Sequence, residues 1–467
     1  MPTRILTVGG GGREHAIAWK LGSEPGVNLV VVAPGSDAIA AEPRTRVAPD
    51  FDPLDADGLV ALARAHAIEL AVVGPEAPLA AGVADTLRSA GVAVFGPSRA
   101  AARIESSKTF CREIAEAAGV RMARGASLAE LAPAAAFASQ IAADGRGVVV
   151  KADGLAAGKG VTVCDDAAAA EDALERIFDM EREGATGVPG DDPAARVVVE
   201  ERIIGREASV IALTDGRDCL ALPAARDHKR LLDGDRGPNT GGMGAYSPLP
   251  DLPDELAANI VETVHRPILA ELARRGVLFV GALYAGLMLT ADGPVLLECN
   301  ARFGDPETQV ILPRLPIPLG PLLLACARGR LAPAVDALGI QGPLAPAGRG
   351  AAVGIVLAAG SYPEAAGRGD RIEGLEEAAR GSLVFHSGTR HTDAGDDTNG
   401  YETNGGRILT VVGRSPDLEA ARQAAEAAAD ALAFDGMQRR HDIAADVPAP
   451  LGHSDPAAMD RATAGAR

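Results

Sequence analysis

The sequence lacks the features that mark a membrane or secreted protein. No apolar run among its 467 residues reaches the ~20 residues that a membrane-spanning helix needs. Residues 1–4 lead directly into an apolar segment and do not have the pattern of a signal peptide. The cysteines show neither CxxC nor cysteine–histidine spacing, which is typical of buried, reduced thiols; they are Cys111, Cys164, Cys219, Cys299 and Cys326. We therefore expect a cytoplasmic protein with no membrane partner.

Positive charge is scarce, and lysine is scarcer still. With 45 Lys and Arg residues against 63 Asp and Glu residues, the formal net charge is −18. This balance argues against a nucleic-acid partner, although a small anionic substrate can still bind a local basic cleft. Only five of the basic residues are lysine: Lys20, Lys108, Lys151, Lys159 and Lys229. Because the chain uses arginine almost everywhere else, these lysines are candidates for positions that require a compact ammonium group.

The segment 294–307 combines oxygen donors with a cation. An apolar run predicts a buried strand that ends at Glu298 and Asn300, and residues two apart on a strand share a face. Two oxygen donors on one face suit Mg²⁺, which takes few protein carboxylates and completes its shell with substrate phosphates. Arg302 follows and can oppose a phosphate or carboxylate. The alternative is a strand that simply ends in a polar turn.

The N-terminal segment predicts a phosphate site. A strand at 4–8, the glycines at 9–12 and a helix at about 13–21 would direct backbone N–H groups at an anion. A Rossmann dinucleotide site would need an acid after the second strand. Instead, the strand at 29–32 runs into Ala33-Pro34-Gly35, which disfavours NAD and favours another phosphorylated ligand.

Further strands at 70–73 and 92–95 alternate with helices and end in Gly-Pro turns. This alternation predicts a parallel α/β domain over residues 1 to about 100, with ligands at the carboxyl ends of its strands. Tight packing of the glycine turn is the alternative to ligand binding.

Residues 147–163 predict a strand, a glycine-rich loop and a second strand. A Walker A loop would need Gly-x₄-Gly-Lys-Ser/Thr and a following helix, and neither is present. A flexible hairpin that carries Lys151 and Lys159 suits a lid over a triphosphate. A basic surface hairpin is the alternative.

Two later segments carry polar groups. Strands around a short turn at 196–210 can present backbone groups to an adenine edge, or can be purely structural. Residues 226–247 predict a long polar, glycine-rich loop, and loops of this length are usually functional or disordered. Asp227, Lys229 and Asn239 would supply directed contacts there, and we expect His228 to have a positioning role.

The C-terminal third predicts a smaller unit. A Pro- and Gly-rich boundary at 331–349 precedes strands near 351–358, 383–386 and 407–412 and a helix near 416–434. Residues 392–406 carry four acids and no Lys or Arg, which predicts an exposed loop. The composition of residues 446–467 predicts a disordered tail.

Together these motifs resemble the phosphoribosylamine–glycine ligase family of the ATP-grasp superfamily. The resemblance extends from residue 1 to about 445, and the insertion at 392–402, the tail and the partly kept pattern at 439–443 depart from it. The matching stretches are 11–16 (GGREHA), 74–79 (GPEAPL), 151–160 (KADGLAAGKG), 227–230 (DHKR), 237–247 (GPNTGGMGAYS) and 302–308 (RFGDPET).

The resemblance implies a multidomain α/β and α+β fold. An N-terminal Rossmann-like (pre-ATP-grasp) parallel sheet would occupy residues 1–104, and an ATP-grasp domain 105–330 with a mobile lid at about 123–195. A small C-terminal α+β domain would occupy residues 331–445. The implied reaction joins glycine to 5-phosphoribosylamine at the expense of ATP, through a glycyl phosphate, in a monomer that uses Mg²⁺ or Mn²⁺.

The resemblance also implies roles for individual residues. Glu298 and Asn300 would hold the metal, and the catalytic set would be Lys151, Arg302, Asp227 and Lys229. ATP would contact Lys108, Lys151, Gly158, Lys159, Glu200, Glu201, Ile203 and Glu207. Glycine and 5-phosphoribosylamine would contact Gly10, Gly11, Gly12, Arg13, Glu14, Gly74, Pro75, Glu76, Asp227, His228, Lys229, Asn239, Gly241, Gly242, Met243, Arg302 and Asp305.

Three alternatives remain at this point. Another ATP-grasp carboxylate–amine ligase is disfavoured by the 226–247 segment, and a nicotinamide-dependent oxidoreductase by the missing acid after the second strand. A non-catalytic nucleotide sensor would not need the full set of polar groups that the sequence retains.

Overall fold

The computed structural model describes residues 1–155, 160–392 and 400–447, except for 183–196. Among these residues, no single helix is long and apolar enough to cross a membrane. The helical segments Glu307–Arg314 and Leu319–Ala327 reach that length and composition only when they are counted together, and the chain bends by 113° between them. Gly158 and Lys159, both predicted to contact ATP, lie outside the described residues, as does the predicted tail from residue 448 onward.

The N-terminal region is the parallel α/β unit that the sequence predicts. Its strands pair in the order β3-β2-β1-β4-β5, all parallel. The inner strands are buried because helices cover both faces, so their sequences are apolar throughout. The elements are β1 (Arg4–Gly9), α1 (Gly12–Ser23), β2 (Leu29–Pro34), α2 (Asp37–Ala40), β3 (Thr45–Val47), α3 (Ala56–Ala65), β4 (Leu70–Val73), α4 (Glu76–Ala81), α5 (Val83–Ser89) and β5 (Ala93–Phe95).

A second unit follows and has its own hydrophobic core. Helices α8 and α9 pack on a sheet of order β6-β9-β7-β8, and their buried side chains form a cluster separate from the other two cores. The elements from residue 99 are α6 (Arg99–Ser106), α7 (Lys108–Ala117), β6 (Gly125–Leu128), α8 (Leu131–Ala143), β7 (Val148–Ala152), β8 (Val161–Cys164), α9 (Ala167–Arg182) and β9 (Val197–Glu201). We call β6–β9 with α8 and α9 the small-sheet unit.

The two strands predicted around a short turn at 196–210 are present, but they do not pair with each other. Strand β9 lies in the small-sheet unit, whereas β10 belongs to an antiparallel sheet of order β11-β10-β16-β17. Residues 202–205 therefore connect two sheets and do not close a hairpin. The strands of this second sheet are β10 (Arg206–Thr214), β11 (Cys219–Ala221), β16 (Gly281–Thr290) and β17 (Gly293–Asn300).

The segment 226–247 is not the long loop that we predicted from its composition. It contains β12 (Arg226–Asp227), β13 (Arg230–Leu232), β14 (Arg236–Asn239) and β15 (Gly244–Ser247). β13 and β14 form a hairpin, and β12 and β15 join a sheet of order β12-β15-β18-β23-β20. This sheet combines strands from both sides of the predicted boundary at 331–349, because β18 (Ala351–Ala358) pairs directly with β15.

The remaining helices connect these sheets. α10 (Asp254–Ile260), a π-helical turn (Val261–His265) and α11 (Arg266–Arg274) form one helical stretch. After β17 follow α12 (Glu307–Ile311), a 3₁₀ turn (Leu312–Arg314) and α13 (Leu319–Ala327), whose leucines are buried in the core. α14 (Leu331–Ala337) lies within the segment that the sequence marked only as a boundary.

The C-terminal region completes the α+β unit. Besides the five-stranded sheet that contains β18, it contains a three-stranded sheet of order β19-β22-β21. The prediction of an exposed loop over 392–406 is wrong for residues 401–405, which form the central strand and bury Thr403; residues 393–399 lie outside the described chain. The elements are β19 (Gly367–Ile372), α15 (Leu375–Ala379), β20 (Leu383–His386), β21 (Thr389–His391), β22 (Tyr401–Gly405), β23 (Arg407–Ser415) and α16 (Leu418–Asp430).

Two glycines provide a test of the packing in this region. Gly374 and Gly369 both have a left-handed backbone, with φ of +81° and +88°. A Cβ at Gly374 would lie 1.7 Å from the carbonyl oxygen of Ala431, whereas a Cβ at Gly369 would meet no atom within 4 Å. We expect Gly369→Ala to cost about 1 kcal/mol from backbone strain alone. Gly374→Ala should cost a further ~1–3 kcal/mol because α16 and the following chain must move.

The measurement is the midpoint of thermal or urea unfolding for the two variants beside the unchanged protein. Equal midpoints for Gly374→Ala and Gly369→Ala would contradict the close approach of Gly374 to Ala431.

Candidate functional site

The predicted metal ligands lie beside a cluster of lysines at the end of β17. Lys229 Nζ lies 3.4 Å from Glu298 Oε1 and 3.5 Å from Glu207 Oε2. The charge of Lys229 outweighs burial and, together with Lys108 and Lys151, lowers the pKa of Glu298 to about 2. Glu298 is therefore a carboxylate at neutral pH.

The donor set at this strand end fits a hard cation that is shared with a substrate. Glu298 and Asn300 supply two oxygen donors from one strand. Within the described parts of the chain, no three His, Cys, Asp or Glu side chains converge as a ready-made metal site. An ion held here would take its other ligands from substrate oxygens and water, as Mg²⁺ commonly does.

Lys151 ties the small-sheet unit to β17. Its Nζ donates to the carbonyl oxygen of Leu297 at 2.9 Å and lies 2.6 Å from Glu200 Oε2, with the residue only 7% exposed. The other oxygen of Glu200 accepts a hydrogen bond from Arg112 Nη1 at 2.9 Å. Arg112 was not predicted, although it lies four residues after Lys108 on one face of α7, which was an available signal.

Lys108 begins α7 beside the hairpin that follows β7. Ser107 caps the helix through Phe110 N–H and donates from its hydroxyl to Asp153 at 3.2 Å, while Lys108 Nζ donates to the carbonyl oxygen of Gly154 at 3.4 Å. Asp153 also accepts from the backbone N–H of Lys108 and was not predicted.

The other predicted nucleotide contacts follow the connection between the two sheets. Glu201 accepts from Arg124 N–H at 3.3 Å and pairs with Arg146 at the protein surface. Ile203 is half-buried within the connection, and Glu207 lies at the start of β10 beside Lys229. Lys108, Lys151 and Glu200 line one small cavity together with Glu298, whereas Glu201, Ile203 and Glu207 are not among its lining residues.

Arg302 lies at the meeting point of the N-terminal loops and the end of β17. Its Nη2 lies 3.0 Å from Glu105 Oε1, and its Nε lies 3.2 Å from Glu76 Oε2 without the alignment of a hydrogen bond. Burial raises the pKa of Glu76, but the charges of Arg302 and Arg13 outweigh burial and lower this pKa to about 2. Burial also raises the pKa of Glu105, against the opposing charge of Arg302. Glu105 was not predicted.

The glycine turn after β1 and the Gly74-Pro75-Glu76 turn close around Glu14. Gly11 N–H donates to Glu14 Oε2 at 2.9 Å, and Arg13 bonds Glu14 and the carbonyl oxygen of Phe303. A Cβ at Gly74 would lie 2.2 Å from Glu14 Oε1, so a larger residue there would displace the Glu14 side chain. Gly10 likewise packs against Gly35, where a Cβ would lie 2.7 Å from the carbonyl oxygen.

An unpredicted arginine of β23 holds Asp305. Arg407 Nη2 donates to Asp305 Oδ2 at 2.9 Å, and Gln309 Nε2 donates to Asp305 Oδ1 at 2.7 Å. Arg407 also donates to the carbonyl oxygen of Gly241, whose N–H donates to the hydroxyl of Tyr362 at 2.8 Å. Both oxygens of Asp305 therefore already have protein partners, and this residue connects the turn after β17 with the 226–247 segment.

Two buried side-chain atoms of the 226–247 segment have no hydrogen-bond partner among the described residues. They are Asp227 Oδ1 and His228 Nε2. Burial, reinforced by the charge of Arg440, lowers the pKa of His228 to about 4, so its imidazole is neutral at pH 7. Buried polar groups normally have hydrogen-bond partners, so these two atoms suit a polar ligand.

Other predicted residues of this segment bond within the protein. Asn239 Nδ2 donates to the carbonyl oxygen of Val161 at 3.4 Å, and Met243 N–H donates to that of His228 at 2.8 Å. Met243 is fully buried, and Gly242 has a φ of +109° that favours glycine.

Comparisons with known proteins are consistent along the chain. Models of phosphoribosylglycinamide synthetase match in order: the N domain at residues 3–105, the ATP-grasp (A) domain at 106–308 and the C domain at 352–446. The phosphoribosylamine–glycine ligase of Ralstonia nicotianae is 42% identical over 441 residues, covering 94% of this chain and 98% of that protein. That of Leifsonia xyli is 45% identical over 446 residues, covering 95% and 99%.

Solved structures agree with these matches. A crystal structure of phosphoribosylamine–glycine ligase from Thermotoga maritima aligns with a TM-score of 0.75 and 32% identity, covering 94% of this chain and all of that one. A biotin carboxylase domain from Hydrogenobacter thermophilus, at 17% identity and a TM-score of 0.64, shares the fold alone. The predicted fold class, with an N-terminal parallel sheet, an ATP-grasp centre and a C-terminal domain, is confirmed. This chain belongs to the phosphoribosylglycinamide synthetase family.

Proposed function

We propose that this chain is an ATP-dependent ligase that joins glycine to 5-phosphoribosylamine, giving glycinamide ribonucleotide, ADP and phosphate in purine biosynthesis. The observation that carries the proposal is the near full-length similarity to relatives named phosphoribosylamine–glycine ligase. The proposal is supported by three ion pairs: Lys229 with Glu298, the buried Lys151 with Glu200, and Arg302 with Glu105. Positive charges in these positions suit a triphosphate. We propose a cytoplasmic monomer, with the domains at 1–104, 105–330 and 331–445.

The chemistry proceeds in two steps. A carboxylate oxygen of glycine attacks the γ-phosphorus of ATP, and the bond from that phosphorus to the β–γ bridging oxygen breaks, so ADP leaves. The amine of 5-phosphoribosylamine then attacks the acyl carbon and loses a proton, and phosphate leaves with one former carboxylate oxygen. Phosphorylation is needed because oxide is a poor leaving group. No protein nucleophile is required.

The residues of the chain would act mainly by position and charge. Lys108 and Lys151 would hold ATP phosphates, with Gly158 and Lys159 in the lid, and Arg302 would balance charge on the transferring phosphoryl group. Mg²⁺ or Mn²⁺, held by Glu298 and Asn300, would neutralise phosphate charge. The other proposed contacts with ATP are Glu200, Glu201, Ile203 and Glu207.

The substrates would lie between the N-terminal turns and the 226–247 segment. Asp227 and His228 have unpaired buried atoms that could accept from an amino or hydroxyl group. Lys229 lies near both Glu298 and Glu207, so its positive charge would offset the repulsion between the two carboxylates. It would also face the substrates. The small-sheet unit has its own core, which supports its closure over ATP as one body that excludes water.

Removal of the charge at Glu298 should abolish most turnover. Glu298→Gln keeps the shape of the side chain but loses the anion that would bind Mg²⁺, so ADP formation should fall strongly without a matching loss of melting temperature. Asp292→Asn, in the exposed turn of the same hairpin, is the control. Near-normal turnover of Glu298→Gln at saturating Mg²⁺ would refute the metal assignment.

Lys151 should not tolerate arginine. Its ammonium fits between Leu297 O and Glu200 in a buried position, where a planar guanidinium is too large. We expect Lys151→Arg to lose activity nearly as completely as Lys151→Ala, measured as kcat and KM for ATP. Lys20→Arg is the matched control because Lys20 Nζ also donates to a carbonyl oxygen, that of Leu315 at 2.7 Å, away from the site. A Lys151→Arg enzyme with unchanged kcat and unchanged KM for ATP would show that Lys151 contributes only a positive charge.

The fate of the carboxylate oxygen tests the chemical path. With glycine labelled by ¹⁸O in its carboxylate, mass spectrometry should find one label in the inorganic phosphate and ADP as the other product. Reactions without glycine, or without freshly made 5-phosphoribosylamine, are the controls. Unlabelled phosphate, or AMP and pyrophosphate, would exclude the glycyl phosphate route.

A further inference from the structure

Glu105 holds both the backbone and the side chain that follow β17. It lies near the end of α6 and is 7% exposed. Its Oε2 accepts from the backbone N–H of Ala301 at 2.8 Å, and its Oε1 lies 3.0 Å from Arg302 Nη2. One buried carboxylate therefore sets the path of the chain and the direction of the guanidinium at a point 196 residues away in sequence.

The contacts of Arg302 leave defined donors free for a ligand. A guanidinium has five N–H donors in a fixed plane. In the described chain, Nη1 donates to the carbonyl oxygen of Phe303 at 3.1 Å, Nη2 is directed at Glu105, and Nε lies beside Glu76. Each terminal nitrogen carries a second N–H besides the one on the side of Phe303 or Glu105. The direction of those two donors follows from the position of Glu105, because the group is planar.

The place of Glu105 in the chain connects it with the other predicted phosphate contacts. It precedes Lys108 by three residues, and it lines the same small cavity as Lys108, Lys151 and Glu298. An ion pair that served only stability would not need to lie between the start of α7 and the end of β17.

We propose that Glu105 is a positioning residue, which aims the second N–H of Nη1 and of Nη2 of Arg302 at the transferring phosphoryl group. This inference rests on the proposed function and assigns Glu105 no contact with substrate. Its effect should therefore appear in kcat through Arg302 and leave KM for ATP nearly unchanged.

Glu105→Gln separates this role from packing. The amide keeps the volume of the carboxylate, but in either orientation its NH₂ group faces one of two donors, Ala301 N–H or Arg302. A displaced guanidinium should lower kcat by ~10²-fold, as a 1 Å misplacement can. Glu24→Gln is the matched control because Glu24 is also buried and accepts from two backbone N–H groups, Leu319 and Gly320, at the start of α13. It should lower the melting temperature without lowering kcat.

A double-mutant cycle tests the route of the effect. In an Arg302→Ala background, Glu105→Gln should cause no further loss of kcat. An equal loss of kcat in both backgrounds would overturn the inference. If Arg302→Ala turnover is too low to measure, the comparison with Glu24→Gln decides. A kcat that falls for both glutamine variants in proportion to melting temperature would also overturn it.

The failure of this inference is distinct from the failure of the proposed function. Wild-type kcat in Arg302→Ala would refute the proposed role of Arg302 itself. Wild-type kcat in Glu105→Gln together with an inactive Arg302→Ala would refute only the positioning role of Glu105.

Discussion

The arrangement of the site depends on ion pairs near the end of β17, where Lys151, Lys229 and Arg302 each lie beside a carboxylate. Removing a charge from water is costly unless a partner and hydrogen bonds compensate for it. Lys151 meets this condition with Glu200 and Leu297 O. Arg302 meets it with the carboxylates of Glu105 and Glu76 and with the carbonyl oxygen of Phe303. These pairs join segments that are far apart in sequence, so the same interactions that make the cations tolerable also bring the parts of the site together.

The end of β17 and the turn that follows it are the common contact of the separate units. Arg13 from α1 reaches Phe303, Arg407 from β23 reaches Asp305, and Lys151 from the small-sheet unit reaches Leu297. The phosphate-binding candidates therefore depend on the relative position of all three regions. The small-sheet unit has a core separate from the other two, and Lys151 supplies a polar contact between this unit and β17.

Much of the secondary structure followed from local pattern. Apolar runs predicted β1, β2 and β4 because strands buried on both faces are continuously apolar. The apolar run also predicted β17, although this strand is only partly buried. Composition led to a wrong prediction of loops in two segments. Residues 226–247 contain short strands formed by glycine and polar residues, and residues 401–405 form a strand. The short strand β3 (Thr45–Val47) was missed because three residues with a central arginine have no strand period.

The sequence by itself determined the family, the order of the units and the residue types of the site, since the motifs lie in short stretches whose chemistry is local. Tertiary structure alone decided which distant residues complete these motifs. Glu105 and Ala301 are 196 residues apart, and Arg407 and Asp305 are 102 residues apart. It also decided that β9 and β10 enter different sheets and that β15 pairs with β18. Local periodicity specifies that a strand forms and which face is apolar, but a strand's partner depends on how all the units pack.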